Sequence, residues 1–166
     1  MGSNFPLSNQ NLRLLVSKME QGVALCDIIC GKNRELEDYR FIRLNKKIEE
    51  QTGYKIEDLL NKTVIQALPE TGAELINKCR EVVSNKASLH YDEYFSKSDK
   101  WNRVSAYPLD GSKFVLIMDD ITERKRLEEI AFLEKEQLKT TLLSVGDGVI
   151  TTDEGGNITL MNSAAE

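Results

Sequence analysis

The side chains best suited to holding a metal ion are three cysteines, Cys26, Cys30 and Cys79, and the single histidine, His90. A structural zinc site needs four such ligands at one point. No C-x-x-C spacing occurs, Cys26 and Cys30 fall in a predicted strand, and one histidine cannot supply the two further ligands. The sequence therefore predicts three reduced, partly buried thiols and no metal site.

Two adjacent carboxylates, Asp119 and Asp120, are the side chains that could form an acid–base pair. They fall in a predicted strand, where neighbouring side chains point to opposite faces, so the two cannot easily share a proton or a metal ion. The sequence also lacks a Ser-His-Asp set, an H-E-x-x-H motif and a phosphate-binding Gly loop. We therefore expect no catalytic site.

Composition favours a globular domain and limits its partners. The 166 residues are 40% hydrophobic and 30% charged, with a net charge of −5. The basic cluster at 124–126 is followed at once by Glu128 and Glu129, which is typical of a solvated helix face rather than a nucleic-acid surface. No apolar run approaches the roughly 18 residues of a membrane span, and the N-terminus lacks the layout of a secretion signal. We expect no nucleic acid, no membrane contact and a cytoplasmic location.

The elements that would position these side chains begin with a helix. Ser8 fits its N-cap, and apolar residues recur at helical spacing over residues 12–19, with Gly22 as the stop. Two strands follow, at 23–29 and 39–44, and the second alternates with a period of two. The chain thus starts with one amphipathic helix and a pair of strands.

Short helices then fill the middle of the sequence. Asn45 fits the cap of a helix over 46–51, and Gly53 is a plausible stop for it. Three further helical segments are predicted at 56–60, 63–68 and 73–83, the last of them amphipathic.

After residue 86 the period changes from helical to alternating. Three strands are predicted, at 87–96, 100–109 and 113–121, and a charged helix over 123–143 follows them. This order favours an α+β fold: a five-stranded antiparallel sheet with short helices on one face, flanked by N-terminal and C-terminal helices.

The sequence that begins the domain recurs near the end of the chain. MEQGVALCD is echoed by VGDGVITTD, and FIRLNKKIEE by ITLMNSAAE, which aligns Asn45 with Asn162. The copies are about 120 residues apart, the length of a domain rather than of a short repeat. The echo predicts one complete domain, a connecting helix and the first hairpin of a second domain of the same type. Chance similarity of two short segments is the alternative.

Four segments in this order resemble the PAS family, and in particular the sensory-box PAS domains of bacterial histidine kinases and cyclic-di-GMP enzymes. They are DYRFIRLN (38–45), TGYKIEDLLNKTVIQALPE (52–70), WNRVSAYPL (101–109) and DITERKR (120–126). The resemblance implies a five-stranded sheet that encloses a small pocket, which in different members holds haem, flavin, a small organic acid or nothing. It also implies homodimerisation through flanking helices and signalling through the helix after the last strand.

The resemblance and the echo together predict four segments. They are an N-terminal flanking helix (1–21), a PAS domain (22–122), a signalling helix (123–142) and the truncated start of a second PAS domain (143–166). We expect the catalytic output to lie beyond Glu166.

The candidate ligand-binding residues lie on two of the predicted strands. Alternation puts Asn102, Val104 and Ala106 on one face, and the resemblance implies that this face points inward. On the last strand, Phe114, Leu116 and Met118 would share the inward face. The buried amide of Asn102 needs a hydrogen-bond partner, which could be a ligand, a water molecule or the backbone. The apolar residues could equally be ordinary core.

Two cofactors are not expected. Haem-binding PAS relatives carry their axial histidine on the long helix, here 73–83, which has none, whereas His90 lies in a strand. Flavin chemistry of the cysteinyl-adduct type needs an Asn-Cys-Arg motif, from which residues 61–63 (Asn-Lys-Thr) depart. The pocket is expected to hold an unidentified ligand or none.

The last predicted strand runs into the charged helix at Asp120, Thr122 and Glu123. Asp120 or Thr122 can cap the helix, and Glu123 would lie near its positive N-terminal end. The resemblance favours a signal junction here, while an ordinary capped strand-to-helix turn is the alternative.

Two functions are therefore expected from the sequence. The first is a sensory domain that detects a small ligand and relays the change to a downstream output, either a cyclic-di-GMP enzyme or a histidine kinase. The alternative is a ligandless dimerisation and relay module. In both, the partners are a second copy of the chain and further domains of the same polypeptide.

Overall fold

This computed structural model describes residues 8–32, 35–85, 87–109, 112–144, 148–162 and 164–165. The residues form two compact units, which join in the sequence between Thr122 and Glu123. The helices are α1 (Asn9–Lys18), α2 (Lys47–Thr52), α3 (Ile56–Leu59), α4 (Val64–Ala67), α5 (Gly72–Asn85) and α6 (Thr122–Ser144). The strands are β1 (Gly22–Cys30), β2 (Leu36–Leu44), β3 (Leu89–Phe95), β4 (Lys100–Pro108), β5 (Lys113–Asp120), β6 (Ile150–Thr152) and β7 (Ile158–Met161).

The first unit is built on a five-stranded antiparallel sheet with strand order β2-β1-β5-β4-β3. The last three strands form the predicted meander, and β1 closes the sheet by pairing with β5, where Ala24 lies opposite Leu116. The predicted α+β fold, five antiparallel strands with helices, is confirmed.

The helices between β2 and β3 cover the inward face of the sheet. Helix α5 is amphipathic and buries Ile76, Cys79 and Val82 at helical spacing. This stripe explains why the segment is helical and which side meets the sheet. The core therefore lies between one face of the sheet and these helices.

Helix α2 begins differently from the sequence prediction. Its N-cap is Lys46, which makes no side-chain cap bond. The Asn45 side chain instead accepts the Val23 N–H at 2.9 Å and donates to the carbonyl of Gln21 at 2.9 Å. Asn45 is buried, and its side chain bonds the start of β1 and the residue just before that strand. Sequence spacing does not predict that these residues lie beside Asn45. Gly53 ends the helix with φ 75°, as predicted.

Helix α1 has the predicted N-cap but not the predicted end. The Ser8 hydroxyl accepts the Asn11 N–H at 3.2 Å. The helix stops at Lys18, and Gly22 opens β1 instead of ending the helix. All ten residues of α1 are described, and none of them is buried. An apolar stripe this short and this exposed is marginal in water without a partner.

The second unit contains most of α6 and the hairpin of β6 and β7, which pair antiparallel. Asn162 is buried beside this hairpin. Its side chain accepts the Val149 N–H at 2.8 Å, and its own N–H donates to the Val149 carbonyl at 3.1 Å. Asn45 and Val23 make the same two bonds in the first unit, at 2.9 and 3.0 Å. The aligned asparagines therefore have the same local geometry.

Candidate functional site

The inward face of β4 and β5 carries all six candidate pocket residues. Burial alternates along both strands, because successive side chains of a strand point to opposite faces. The buried set is Asn102, Val104, Ala106, Phe114, Leu116 and Met118. Its outward neighbours on β4 include Trp101 and Tyr107, which are exposed.

A small apolar cavity lies between this face and the helices. Val104, Leu116 and Met118 line it. The opposite walls come from the helices and the other strands, and include Tyr39, Phe41, Ile48, Tyr54, Tyr91 and Phe95. Its volume is about 30 Å³, which is close to the share of one water molecule in the liquid, about 30 Å³, and far below the roughly 150 Å³ that holds a benzene ring. In this conformation side chains fill most of the interior.

The other three candidates are buried beside the cavity rather than in its walls. Phe114 packs edge-to-face on Tyr39, with the ring centroids 5.1 Å apart. Phe114 also lines a separate cleft of about 170 Å³ together with Cys30 and Val82. The structure thus brings Val104, Leu116 and Met118 together and assigns Phe114 to another wall.

Asn102 has one bonded and one unbonded amide group. Its Nδ2 donates to the carbonyl of Gln51 at 3.1 Å, and the Ser98 hydroxyl donates to the same carbonyl at 2.7 Å. Gln51 lies in the last turn of α2, so the two side chains satisfy a carbonyl that the helix leaves open. Among the described residues, no donor reaches the buried Oδ1 of Asn102. An unsatisfied buried acceptor costs about 1–3 kcal/mol.

The junction between β5 and α6 is a hydrogen-bonded cluster around Asp120. Its Oδ1 accepts the Thr122 N–H at 3.0 Å and the Thr122 hydroxyl at 2.6 Å. Its Oδ2 pairs with the Lys100 ammonium at 2.8 Å. Asp120 is thus the carboxylate that accepts the first N–H of α6, and Glu123 is exposed in the first turn.

Burial and hydrogen bonding act on Asp120 in opposite directions. Partial burial raises the pKa of its carboxyl, but the bonds from Lys100 and Thr122 outweigh burial and hold the pKa below its ordinary value of 3.8. Asp120 is therefore ionised at neutral pH, which keeps it able to accept both Thr122 bonds.

Thr122 also ties α6 back to β4. Its hydroxyl oxygen accepts the Trp101 N–H at 3.0 Å, and the Trp101 carbonyl accepts the Ile121 N–H at 2.8 Å. Because Trp101 precedes Asn102 on β4, the start of α6 is fixed to the strand that carries the buried amide.

The cysteines and the histidine do not meet. Cys26 and Cys79 are buried free thiols, and Cys30 is an exposed one. Burial raises the pKa of Cys26, and it raises the pKa of Cys79 to about 12. His90 is exposed, with its Nδ1 2.9 Å from the Ser105 hydroxyl. The described residues contain no cluster of three or more His, Cys, Asp or Glu side chains fit for a metal.

Two residues that prove central were not recognised as such in the sequence. Gln51 is 1% exposed and bonds to three separate segments. Nothing in its spacing marks it, because its partners are distant in the sequence. Asn45 could have been found, since the echo aligns it with Asn162 and only a shared structural role would require an asparagine in both copies.

Comparison with known proteins identifies the family of the first unit. The PAS_4 family model, described as the PAS fold, matches residues 37–126. The probable diguanylate cyclase DgcE of Escherichia coli (strain K12) is 42% identical over 65 residues, which are 39% of this chain and 6% of that protein. The chain thus spans only a small part of this relative.

Two solved structures are similar to this chain. A C-terminal domain from Streptococcus mutans has a TM-score of 0.50 at 13% identity, over 73% of this chain and 90% of that one. A sensory box sensor histidine kinase from Vibrio cholerae has a TM-score of 0.48 at 16% identity, over 67% of this chain and 90% of that one. Within the described ranges, no helix has the length and apolar character needed to cross a membrane.

Proposed function

This chain belongs to the PAS-fold family, whose model matches residues 37–126, and from that membership we propose that it relays a signal through the junction of β5 and α6. PAS domains are sensory and regulatory modules of signalling proteins rather than catalysts. The observation that carries the proposal is the bonding of Asp120 and Thr122 to Lys100 and to the Trp101 backbone. Through these bonds the sheet determines where α6 begins.

The energy scale of these bonds suits a switch. A side chain that caps a helix contributes about 1 kcal/mol. Such a contribution changes the ratio of two conformations about fivefold. A small displacement of β4 against β5 therefore shifts α6 between a capped and a frayed first turn, and Glu123 lies in the turn that changes.

The input to the relay has two versions, and the size of the cavity favours the ligandless one. A cavity of about 30 Å³ leaves no room for an organic metabolite in this conformation. In this version the domain acts as a dimerisation and relay module, and the displacement of the sheet comes from the flanking helices.

Ligand sensing is the second candidate, and the unbonded Oδ1 of Asn102 favours it. A small ligand with a hydrogen-bond donor would satisfy that oxygen and place its apolar part against Val104, Leu116 and Met118. Ala106 and Phe114 lie on the same face of the sheet, beside the cavity rather than in its lining. Such a ligand has to widen the cavity, so its binding would displace the sheet directly.

The output proposed for the relay is a cyclic-di-GMP enzyme, with a histidine kinase as the second choice. The similarity to a probable diguanylate cyclase, 42% over 65 residues, supports the first. The proposal concerns a longer polypeptide, since the matched region is 6% of that relative.

We also propose a tandem arrangement, with a PAS domain at 22–122, a signalling helix at 123–142 and the start of a second PAS domain at 143–166. The segment 1–21 is then the N-terminal flanking segment with helix α1, and its residues 1–7 lie outside the described ones. The shared Asn–Val geometry of the two hairpins supports this division. The exposed leucines of α1 and α6 support a homodimer through the flanking helices.

Substitution of Asp120 tests the relay. Asp120→Asn weakens the bonds to Lys100 and to Thr122, so the amides in the first turn of α6 should exchange with solvent about fivefold faster. Asp119→Asn is the matched control, because Asp119 is an exposed carboxylate on the adjacent position. In the polypeptide that carries the output, Asp120→Asn alone should change cyclic-di-GMP formation. Equal effects of the two substitutions would rule out a role of the β5–α6 junction in the relay.

A thermal-shift screen with small metabolites separates the two inputs. A compound that raises the melting temperature of the wild-type chain and not of Asn102→Ala supports ligand sensing, with Ser105→Ala as the outward-facing control on the same strand. If no compound acts, or if Asn102→Ala keeps the shift, the ligandless version stands.

A further inference from the structure

The segment that leads into β1 is held by one buried side chain of α2. Gln51 Oε1 accepts the Gly22 N–H at 2.9 Å, and Gln51 Nε2 donates to the carbonyl of Glu20 at 3.4 Å. Both ends of the amide are therefore bonded to the incoming backbone. Because Gln51 is 1% exposed, its amide depends on protein groups for its hydrogen bonds in this conformation.

Gly22 is adapted to this close contact. A Cβ atom at residue 22 would lie against Gln51 Oε1, nearer than real Cβ atoms approach, and 3.0 Å from the Ile48 side chain. Only glycine lets the strand start so near to α2. The position of the incoming segment is thus tied to the position of Gln51.

The backbone of Gln51 faces a different part of the fold. Its carbonyl accepts the Asn102 Nδ2 at 3.1 Å and the Ser98 hydroxyl at 2.7 Å. Gln51 therefore joins the incoming segment to β4 and to the turn before it, by bonds from its side chain on one side and from its main chain on the other.

From Asn102 the connection continues to the start of α6. Asn102 lies opposite Asp120 in the β4–β5 register, and the preceding residue, Trp101, donates its N–H to the Thr122 hydroxyl at 3.0 Å. A continuous set of bonds and backbone thus runs from Gly22 through Gln51, Asn102 and Trp101 to Thr122.

We propose that Gln51 couples the segment before β1 to the cap of α6, so that a displacement of the N-terminal flanking helix changes the capping of the C-terminal one. Gln51, Asn102 and Thr122 all lie outside the lining of the apolar cavity. The coupling therefore needs no ligand there. The inference rests on the proposed relay only for its consequence at α6, since the coupling itself is a property of the fold.

The test measures amide hydrogen exchange by NMR in the complete chain. Gln51→Met keeps the size of the side chain and removes its bonds to Gly22 and Glu20. The Trp101 and Ile121 amides, at the far end of the connection, should then exchange about threefold to tenfold faster, the loss expected for one buried hydrogen bond. Each rate is divided by that of the Leu116 amide in the middle of β5, so that a general loss of stability cancels.

Gln66→Met is the matched control. Gln66 Oε1 accepts the Thr63 N–H at 3.1 Å in the capping box of α4, which lies outside the connection. This variant also removes one backbone bond to a glutamine amide. It should leave the normalised exchange of Trp101 and Ile121 within about twofold of wild type, a change smaller than one hydrogen bond.

The reverse measurement covers the case in which Gln51→Met does not fold. Thermodynamic coupling is reciprocal, so Thr122→Val, at a half-exposed position, should speed exchange of the Gly22 amide. The proposal is overturned if Gln51→Met leaves the junction amides unchanged, if Gln66→Met accelerates them equally, or if Thr122→Val leaves Gly22 unchanged. Any of these results is compatible with a working relay, which fails separately if Asp120→Asn and Asp119→Asn act alike.

Discussion

The amide of Asn102 shows what a single buried polar residue can do in this fold. Its nitrogen, together with the Ser98 hydroxyl, satisfies the last-turn carbonyl of Gln51. Its oxygen has no donor among the described residues. The bonded nitrogen has a structural role. A ligand that donated a hydrogen bond to the unbonded oxygen would gain binding free energy. Of the three partners left open by the sequence, the backbone is the partner of the nitrogen, and a ligand or a water molecule stays open for the oxygen.

The cysteines give a second prediction at the scale of single residues. Only the thiolate reacts with an alkylating reagent, and a pKa of about 12 leaves Cys79 almost wholly protonated at neutral pH. Cys30 is exposed, whereas Cys26 is buried with its pKa raised as well. Iodoacetamide at pH 8 should therefore label the native chain once, at Cys30, and three times in urea.

Mass spectrometry of labelled peptides checks this result, with Cys30→Ser as the control that should remain unlabelled when native. Rapid labelling of Cys79 in the folded chain would contradict the packing of α5 against the sheet. The labelling of Cys79 should become faster as pH rises towards 12, because deprotonation then supplies the thiolate.

At the scale of elements, the helices α1 and α6 carry exposed leucine side chains. Residues 122–141 of α6 are all at least partly exposed, and Leu127, Phe132 and Leu138 are each more than half exposed. An isolated helix with this pattern is marginal in water. A second copy of α6 is the partner that the proposed dimer supplies.

The dimer prediction uses one face of α6. Leu127 and Leu138 are eleven positions apart, which places them within about 20° on the helix, whereas Phe132 lies about 140° from Leu127. The three side chains are similarly exposed, at 57%, 61% and 63%. Replacing both leucines with serine should turn a dimer into a monomer in sedimentation velocity, and Phe132→Ser should not. A wild-type chain that sediments as a monomer at every concentration would refute the dimer.

At the scale of the whole molecule, the two hairpins offer a test of the tandem arrangement. Asn45→Ala removes buried bonds to Val23 and Gln21 and should lower the free energy of unfolding of the first unit by about 2 kcal/mol. Asn162→Ala should instead remove the bond to the Val149 N–H, so that this amide exchanges faster, and should leave the free energy of unfolding of the first unit unchanged. Urea denaturation and hydrogen exchange measure the two effects, and each variant is the control for the other. If Asn162→Ala lowers the stability of the first unit as much as Asn45→Ala does, the two are not separate domains.

Local patterns in the sequence determined much of this protein. The alternation along β4 and β5 grouped all six buried residues on one face, because a strand has a fixed period of two, and the resemblance to the PAS family indicated that this face points inward. The helical stripe of α5, the N-cap of α1 and the left-handed stop at Gly53 were predicted for the same reason: each depends on residues within a few positions of one another.

Only the tertiary structure decided which polar groups meet. Asn45 was expected to cap α2 but bonds residues more than twenty positions earlier, and Asn102 bonds a carbonyl 51 positions away. Gln51 had no sequence signal, although it joins the incoming strand to β4. Sequence spacing cannot specify such pairs, since they form when elements pack and each buried amide must satisfy its bonds with whichever backbone groups that packing brings within 3 Å. The small volume of the cavity follows from the same packing, because side chains from the sheet and from the helices fill the space between them.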